Sequence, residues 1–359
     1  MQNPRAEPPR RTIVFYISGH GFGHASRAIE VINELVARQP DLRVIIRSSV
    51  APWLISRTAR PGVELSCAEV DTGVVQIDSL RLDAAATITR AEEFMSGFDA
   101  RVEAERRLLI DASAVCTVSD LPPLGIGAAN AAGIPAFALG NFTWDWIYAH
   151  YPGGEVVARQ IADIYRAVTL TLRLPMWGGF ETMPAIRDLP FVARRSCREP
   201  GEVRDALGIP RAARVVLTSF GGYGLEQLDT RLLDSIQGYH ILWPGRIDEA
   251  AMYERGYRYE DLVKAVDVVV TKPGYGIIAE CLANDTAMLY TSRGDFREYD
   301  VLVSAVPSFL RCAFIDHGDL FAGRWAPHLD ALLAQPSPPA TPATDGAALA
   351  ADILLEQIR

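Results

Sequence analysis

Apolar and polar positions along the chain alternate between two periods. Short apolar runs, many of them β-branched, recur at 12–17, 43–47, 114–119 and 136–139, and again at 214–219, 240–243, 267–271 and 287–290. Runs of that length read as strands covered on both faces. Between the first two, Ala25, Ile29, Ile32 and Val36 recur at spacings of three and four, which predicts a helix beginning near Ala25 with one apolar face. Strand, helix, strand from end to end predicts an α/β chain of parallel sheets covered by helices.

The alternation stops over 175–200, where the Pro- and Gly-rich LPMWGGFETMPAIRDLP is followed by the basic ARRSCRE, and it restarts with RVVLTSFGG. Two Rossmann-like, doubly wound domains facing a central cleft follow, the first over 11–195 and the second over 196–335. Residues 1–10 read as a disordered leader, 336–346 as a Pro-rich spacer, and 347–359 as a terminal helix able to pack on either domain.

Composition narrows the function. At 359 residues, two cores are the default. An apolar content of 49% with 22% charged residues is that of a soluble globular protein, and no stretch approaches the roughly 20 apolar residues of a membrane span. The opening MQNPRAEPPR has no apolar core, so it reads as neither signal peptide nor anchor. Five scattered cysteines with no C-x-x-C pair predict reduced, mostly buried thiols in a cytoplasmic protein, with no disulfide framework and no zinc site. In that setting the sequon at Asn141 carries no meaning. A net charge of −9 opposes a broad nucleic-acid surface and favours a small ligand.

The chemistry concentrates at glycine turns behind strands. In Ser18-Gly19-His20-Gly21-Phe22-Gly23-His24, Gly21 and Gly23 let the backbone approach a ligand closely, and the helix start behind them offers unpaired N–H groups to its oxygens. The dinucleotide fingerprint is incomplete, because its third glycine falls on Ser26, and the P-loop Gly-Lys-Ser/Thr is missing. His24 is the candidate base, and Asp120, ending the run AVCTVS, is the carboxylate able to orient it; helix capping is the plainer role for each. His20 divides evenly between shaping the turn and touching ligand.

A second turn, Lys272-Pro273-Gly274-Tyr275-Gly276, leads into a helix carrying Glu280. It is another anion site, with Lys272 beside a diphosphate and Glu280 within reach of ribose. A third turn runs through Ser219, Gly221 and Gly222. Asp295, Arg297 and Glu298 in SRGDFREYD suit sugar hydroxyls, a solvated charge run being the alternative. Trp144, Asp145 and Trp146 in NFTWDWIYAHY form either an acceptor wall or a domain core.

With these stretches in view, the chain resembles nucleotide-sugar glycosyltransferases of the two-Rossmann GT-B type, among them the peptidoglycan N-acetylglucosaminyltransferase and the plant UDP-glycosyltransferases. It most resembles the glycosyltransferase-like domain at the amino end of plant arabinokinases. GHGFGHASR, NFTWDWIYAHY, RLPMWGGFETMPAIRD, KPGYGIIAEC and SRGDFREY carry the likeness over almost the whole chain. No sugar-kinase half follows them.

The resemblance implies a metal-independent, inverting transfer from a nucleotide-diphosphate sugar, uridine-linked, used as co-substrate with no other cofactor. In it His24 is the base and Asp120 its partner, Glu280 meets ribose, residues 272–276 the phosphates, and Arg297 with Glu298 the donor sugar. The Asp-Gln pair of the plant enzymes is not reproduced at Arg297-Glu298, which leaves the donor sugar open. A nucleotide-sugar 2-epimerase of the same architecture and a non-catalytic sugar-nucleotide-binding module are the rival readings.

Overall fold

A computed structural model describes residues 11–221, 224–225 and 228–358 of the chain; the leader and Gly222 lie outside the described residues. Two all-parallel sheets organise it. The first has seven strands in the order Val63–Cys67, Arg43–Ser48, Thr12–Ile17, Ala114–Asp120, Ala136–Phe142, Leu170–Gly178, Ile186–Asp188. The second has five, in the order His240–Leu242, Val215–Ser219, Val268–Thr271, Ala287–Tyr290, Cys312–Phe314. Thr12–Ile17 is buried along its whole length inside the first sheet, between Arg43–Ser48 and Ala114–Asp120, as its unbroken β-branched and aromatic composition requires.

In both sheets the chain order reverses beside the first strand. In the first, Ile17 pairs with Asp120; in the second, Ser219 pairs with Thr271. At such a switch the loops behind neighbouring strands diverge to opposite faces and open a crevice at the carboxyl edge, where ligands of doubly wound sheets bind. The three glycine turns follow these strands, so topology alone brings them to the two crevices.

The helix after Thr12–Ile17 starts earlier than its apolar period indicates. It spans Phe22–Arg38 with Gly21 as N-cap, and the Gly21 φ of 77° lies in the left-handed region that favours glycine. His24 therefore belongs to the first helical turn and not to the loop before it. Ala25, Ile29 and Ile32 face the core as their spacing predicts.

The segment 175–200 is more regular than its Pro and Gly content suggests. Leu170–Gly178 runs through Pro175 as a strand, and the pairing register of its neighbour shifts between Gly140 and Phe142. A shift of this kind lets a sheet absorb a proline. The terminal helix Gly346–Gln357 packs on the first domain, with Ala350, Ala351, Ile353 and Leu354 entering that core. Burying Ile353 and Leu354 is worth about 1.5–3 kcal/mol each. Just before it, the 343–346 segment exchanges backbone hydrogen bonds with Phe191, so the chain passes between the two sheets twice.

Cys116 and Cys281 are buried, but Cys67 and Cys197 are exposed, which corrects the expectation of mostly buried thiols: Cys67 ends the edge strand Val63–Cys67, and Cys197 lies in the loop before the helix Pro200–Ala206. No helix among the described residues is long and apolar enough to cross a membrane.

Candidate functional site

A cavity of about 300 Å³ opens between the two sheets and is lined from both sides. That is the lower end of the range for small-molecule sites. From the first domain come the 20–24 turn, Arg27, Phe142 and Trp144; from the second come Ser219, Gly221, Lys272, the 274–276 turn, Glu280 and Glu298.

On the first wall, His24 Nδ1 lies 3.1 Å from Asp120 Oδ1. Asp120 is fully buried, and Arg27 clasps it: Nε donates to Oδ2 at 3.2 Å and Nη2 to Oδ1. Burial alone would raise the Asp120 carboxyl, but the Arg27 guanidinium and His24 beside it hold it below the usual carboxylate range. Arg27 is fixed in turn by Asn141, whose amide donates to Pro175 O at 2.7 Å. With Nδ1 engaged by the carboxylate, Nε2 is the imidazole nitrogen left for a substrate.

Aromatic rings complete this corner. His24 stands edge-on to Phe142 at 5.5 Å and nearly parallel to Trp144 at 6.2 Å. Trp144 Nε1 donates to Asp71 at 2.9 Å, and Ser18 Oγ donates to the other oxygen of that carboxylate at 3.0 Å. Complete burial pushes Asp71 up to about 6. His20 lies 2.8 Å from the Gln76 amide through Nε2. Burial, with His24, Arg293 and Lys272 nearby, lowers His20 to about 3 and keeps it a neutral imidazole.

On the opposite wall, Gly274 caps the helix Tyr275–Asn284, whose first turn faces the cavity. The Lys272 ammonium makes no ion pair or hydrogen bond among the described residues, although its carbonyl accepts from Thr271 Oγ1 at 3.0 Å. Its burial, with Arg293 beside it, drives its affinity for a proton well below that of a free lysine. An anion in the cavity would reverse that, since it restores the favourable partner that burial removes. Glu280 is buried and held by Arg194, which donates to it through Nε at 2.7 Å and also approaches Glu260 at 3.8 Å. Ser219 shares a hydrogen bond with the Tyr259 hydroxyl.

Not every residue singled out in the sequence reaches the cavity. Glu298 does, paired with Arg293 at 2.9 Å. Asp295 and Arg297 do not: Asp295 accepts from His150 at 2.8 Å, and Arg297 lies over the Trp146 ring at 4.4 Å and bonds its carbonyl. Asp145 and Trp146 are likewise absent from the lining. Trp146 is wedged against Gly178, where a Cβ would come within 2.6 Å of its ring. So NFTWDWIYAHY divides its labour: Trp144 faces the cavity, and Trp146, His150 and Tyr151 join the two domains.

Sequence reasoning passed over Arg27, Asp71, Gln76, Arg194 and Arg293. Arg27 had a signal, since it lies three residues after His24 and so shares a helix face with it. The others arrive from loops distant in sequence. Among the described residues no group of three or more His, Cys, Asp or Glu is placed to hold a metal ion.

No family model matches the chain. It is similar to the L-arabinokinase of Arabidopsis thaliana, 31% identical over 336 residues that make up 88% of this chain and 31% of that protein. The chain thus spans about a third of the length of this curated relative. In architecture it is similar to the glycotransferase of kitacinnamycin, with a TM-score of 0.64 at 18% identity over 98% of this chain and 100% of that one. It is also similar to UGT71G1 of Medicago truncatula complexed with UDP-glucose, with a TM-score of 0.61 at 14% identity over 97% and 98% of the two chains. MurG of Acinetobacter baumannii gives a TM-score of 0.52 at 12% identity over 97% and 100%. These neighbours are GT-B glycosyltransferases, and the fold is the two-domain α/β architecture expected of the chain.

Proposed function

We propose that this chain is a GT-B glycosyltransferase that moves a sugar from a uridine-diphosphate donor to an acceptor hydroxyl. The observation that carries the reading is one cavity with a His24–Asp120 pair on one wall and, on the other, a helix start at Gly274 beside the unpaired Lys272. UDP-glucose in the Medicago neighbour supports the choice of donor.

In the proposed reaction the acceptor oxygen attacks the anomeric carbon as His24 Nε2 takes its proton. The bond from that carbon to the diphosphate oxygen breaks, and its electron pair leaves with the diphosphate. Asp120 holds the imidazole in orientation and balances the imidazolium. Lys272 and the N–H groups of the Tyr275–Asn284 first turn receive the departing charge, with no metal bridging it. A single displacement inverts the anomeric configuration. Glu280, steered by Arg194, meets the ribose; Gly21, Gly23, Ser219 and Gly221 allow close backbone approach; Glu298 meets the sugar; His20 and Trp144 border the acceptor.

The test is a screen of UDP-sugars by thermal shift, followed by product analysis of the stabilising donor with and without acceptors. Stabilisation by a UDP-sugar and a new glycoside in the presence of an acceptor are expected. An epimeric sugar nucleotide formed from donor alone would replace this reading with the epimerase. Binding that survives with no turnover, unchanged by His24→Ala, would replace it with the binding module.

A further inference from the structure

Residues 75–83 form a small antiparallel hairpin of the first domain, Val75–Gln76 paired with Leu82–Asp83. Its tip does not rest on its own domain. Leu80 is buried among Val216, Phe220, Val270 and Leu289 of the second domain's core. Ser79, fully buried, donates through Oγ to the Phe220 carbonyl, and a Cβ on Gly294 would come within 2.9 Å of Leu80 O. The tip is thereby pinned between the two second-domain loops that carry Gly221 and Glu298.

The root of the hairpin lines the cavity through Gln76. One end of its amide is taken by His20 Nε2 at 2.8 Å, and the other, Oε1, is buried with no hydrogen-bond partner among the described residues. Reversing the amide would exchange the two ends and still leave one orphaned. Two more buried polar atoms on cavity-lining residues are orphaned, the Tyr275 hydroxyl and Arg293 Nε. Buried polar atoms ordinarily find partners, and a lone amide end in a core is destabilising. All three belong to residues that line one cavity beside Glu298 and Lys272, and a polyhydroxylated group is the chemistry that small side-chain shifts would let them bond.

Position says which group. His20, which holds the Gln76 amide, lines the cavity with His24, Lys272 and Arg293, and the charges of all three reach it. Gln76 lines the same cavity as His24, the proposed base, and Lys272, the cation assigned to the leaving diphosphate, and the transferred sugar must lie between those two. We infer that Gln76 is a specificity-determining residue for the donor sugar, supplied by the first domain to a subsite otherwise built by the second, and that the pinned Ser79–Leu80 tip sets its reach. This inference rests on the donor reading given above.

Isothermal titration separates the two. UDP, UDP-glucose and UDP-galactose are titrated into the wild type, into Gln76→Leu, which keeps the bulk and removes the amide, and into Leu80→Ala, which loosens the pin. The expected result is that Gln76→Leu weakens the preferred UDP-sugar about tenfold, the loss of one buried hydrogen bond, while UDP binding stays within twofold. Leu80→Ala produces the same pattern at several-fold. Unchanged UDP binding also reports that each variant is folded. Equal losses for UDP and UDP-sugar, no loss for either variant, or a wild type that binds UDP but neither sugar nucleotide would overturn the inference and leave the donor site standing. A wild type that binds none of the three overturns the donor reading itself.

Discussion

A Cβ placed on Gly276 would lie 3.6 Å from the Cα of Gly23, so the first turns of two helices from different domains are in contact reach across the cavity. Each helix start carries unpaired N–H groups and the positive end of a dipole. Bringing two together is unfavourable unless something negative lies between or beside them, which is why this contact is read as half of a diphosphate cradle. The space allows a graded test. At 3.6 Å a methyl makes ordinary van der Waals contact, and Gly276 is not in the left-handed region, so Gly276→Ala should bind UDP within about threefold of wild type. Gly276→Leu drives a branched side chain at Gly23 and should weaken UDP at least tenfold by titration calorimetry. Wild-type affinity in the leucine variant would sink the idea that this contact shapes the site.

His24 and Asp120 should separate cleanly in a paired experiment. His24→Ala removes the base and leaves the Arg27–Asp120 pair intact, so turnover should fall by about 10²–10⁴ with little change in melting temperature. Asp120→Asn removes the only carboxylate that Arg27 is bonded to among the described residues and leaves the guanidinium buried against an imidazole. Breaking a buried pair from one side costs about 3–5 kcal/mol, so this variant should lose both activity and a large share of its stability. A loss below threefold in His24→Ala discards His24 as base.

The sequence made the central strands legible because each is an uninterrupted apolar run; Thr12–Ile17 and Val268–Thr271 are covered on both faces, and pattern follows burial. Val63–Cys67 and Ile186–Asp188 left no such trace. They are sheet edges with half-buried or exposed side chains, and an edge strand has little apolar surface to advertise. The site divides along the same line. His24, Asp120, Lys272 and Gly274 follow strand ends, where topology dictates their meeting. Asp71, Gln76 and Arg293 act through contacts fixed only when the segments that carry them fold over the cavity, and the sequence could not divide Glu298, which lines the cavity, from Asp295 and Arg297, which contact the first domain, because a charged loop looks the same whether it faces a ligand or a neighbouring domain.

Lys272 should show a conflict between stability and function. A buried ammonium without a partner is costly, and methionine fills similar volume at no electrostatic cost. Lys272→Met is therefore expected to melt above wild type when ligand-free. It should also lose most of the stabilisation that UDP gives wild type, because the desolvated charge facing the diphosphate is gone. Differential scanning fluorimetry with and without UDP reads both effects. A variant melting below wild type, or one that keeps the full ligand shift, would show that Lys272 is paired in solution or lies away from the phosphates.

Asp71 gives a pH dependence of definite sign. Burial raises its carboxyl from 3.8 to about 6, against hydrogen bonds from Ser18 and Trp144 that favour the charged form. The folded protein therefore holds the proton more tightly than the unfolded chain does. The resulting stability is present in full below pH 4, fades as pH rises through about 6, and is absent above it. A shift of this size corresponds to about 3 kcal/mol between the two ends of that window. Asp71→Asn keeps an acceptor for the Trp144 indole, and the Ser18 hydroxyl can turn to accept from the new amide, so the substitution removes the penalty without emptying the site. The melting temperature of Asp71→Asn minus that of wild type should be smallest near pH 3.5, grow between pH 4 and pH 6, and level off by pH 7. Parallel curves for the two proteins would mean that Asp71 ionises as readily in the fold as outside it, which requires water to reach a carboxylate that this packing encloses.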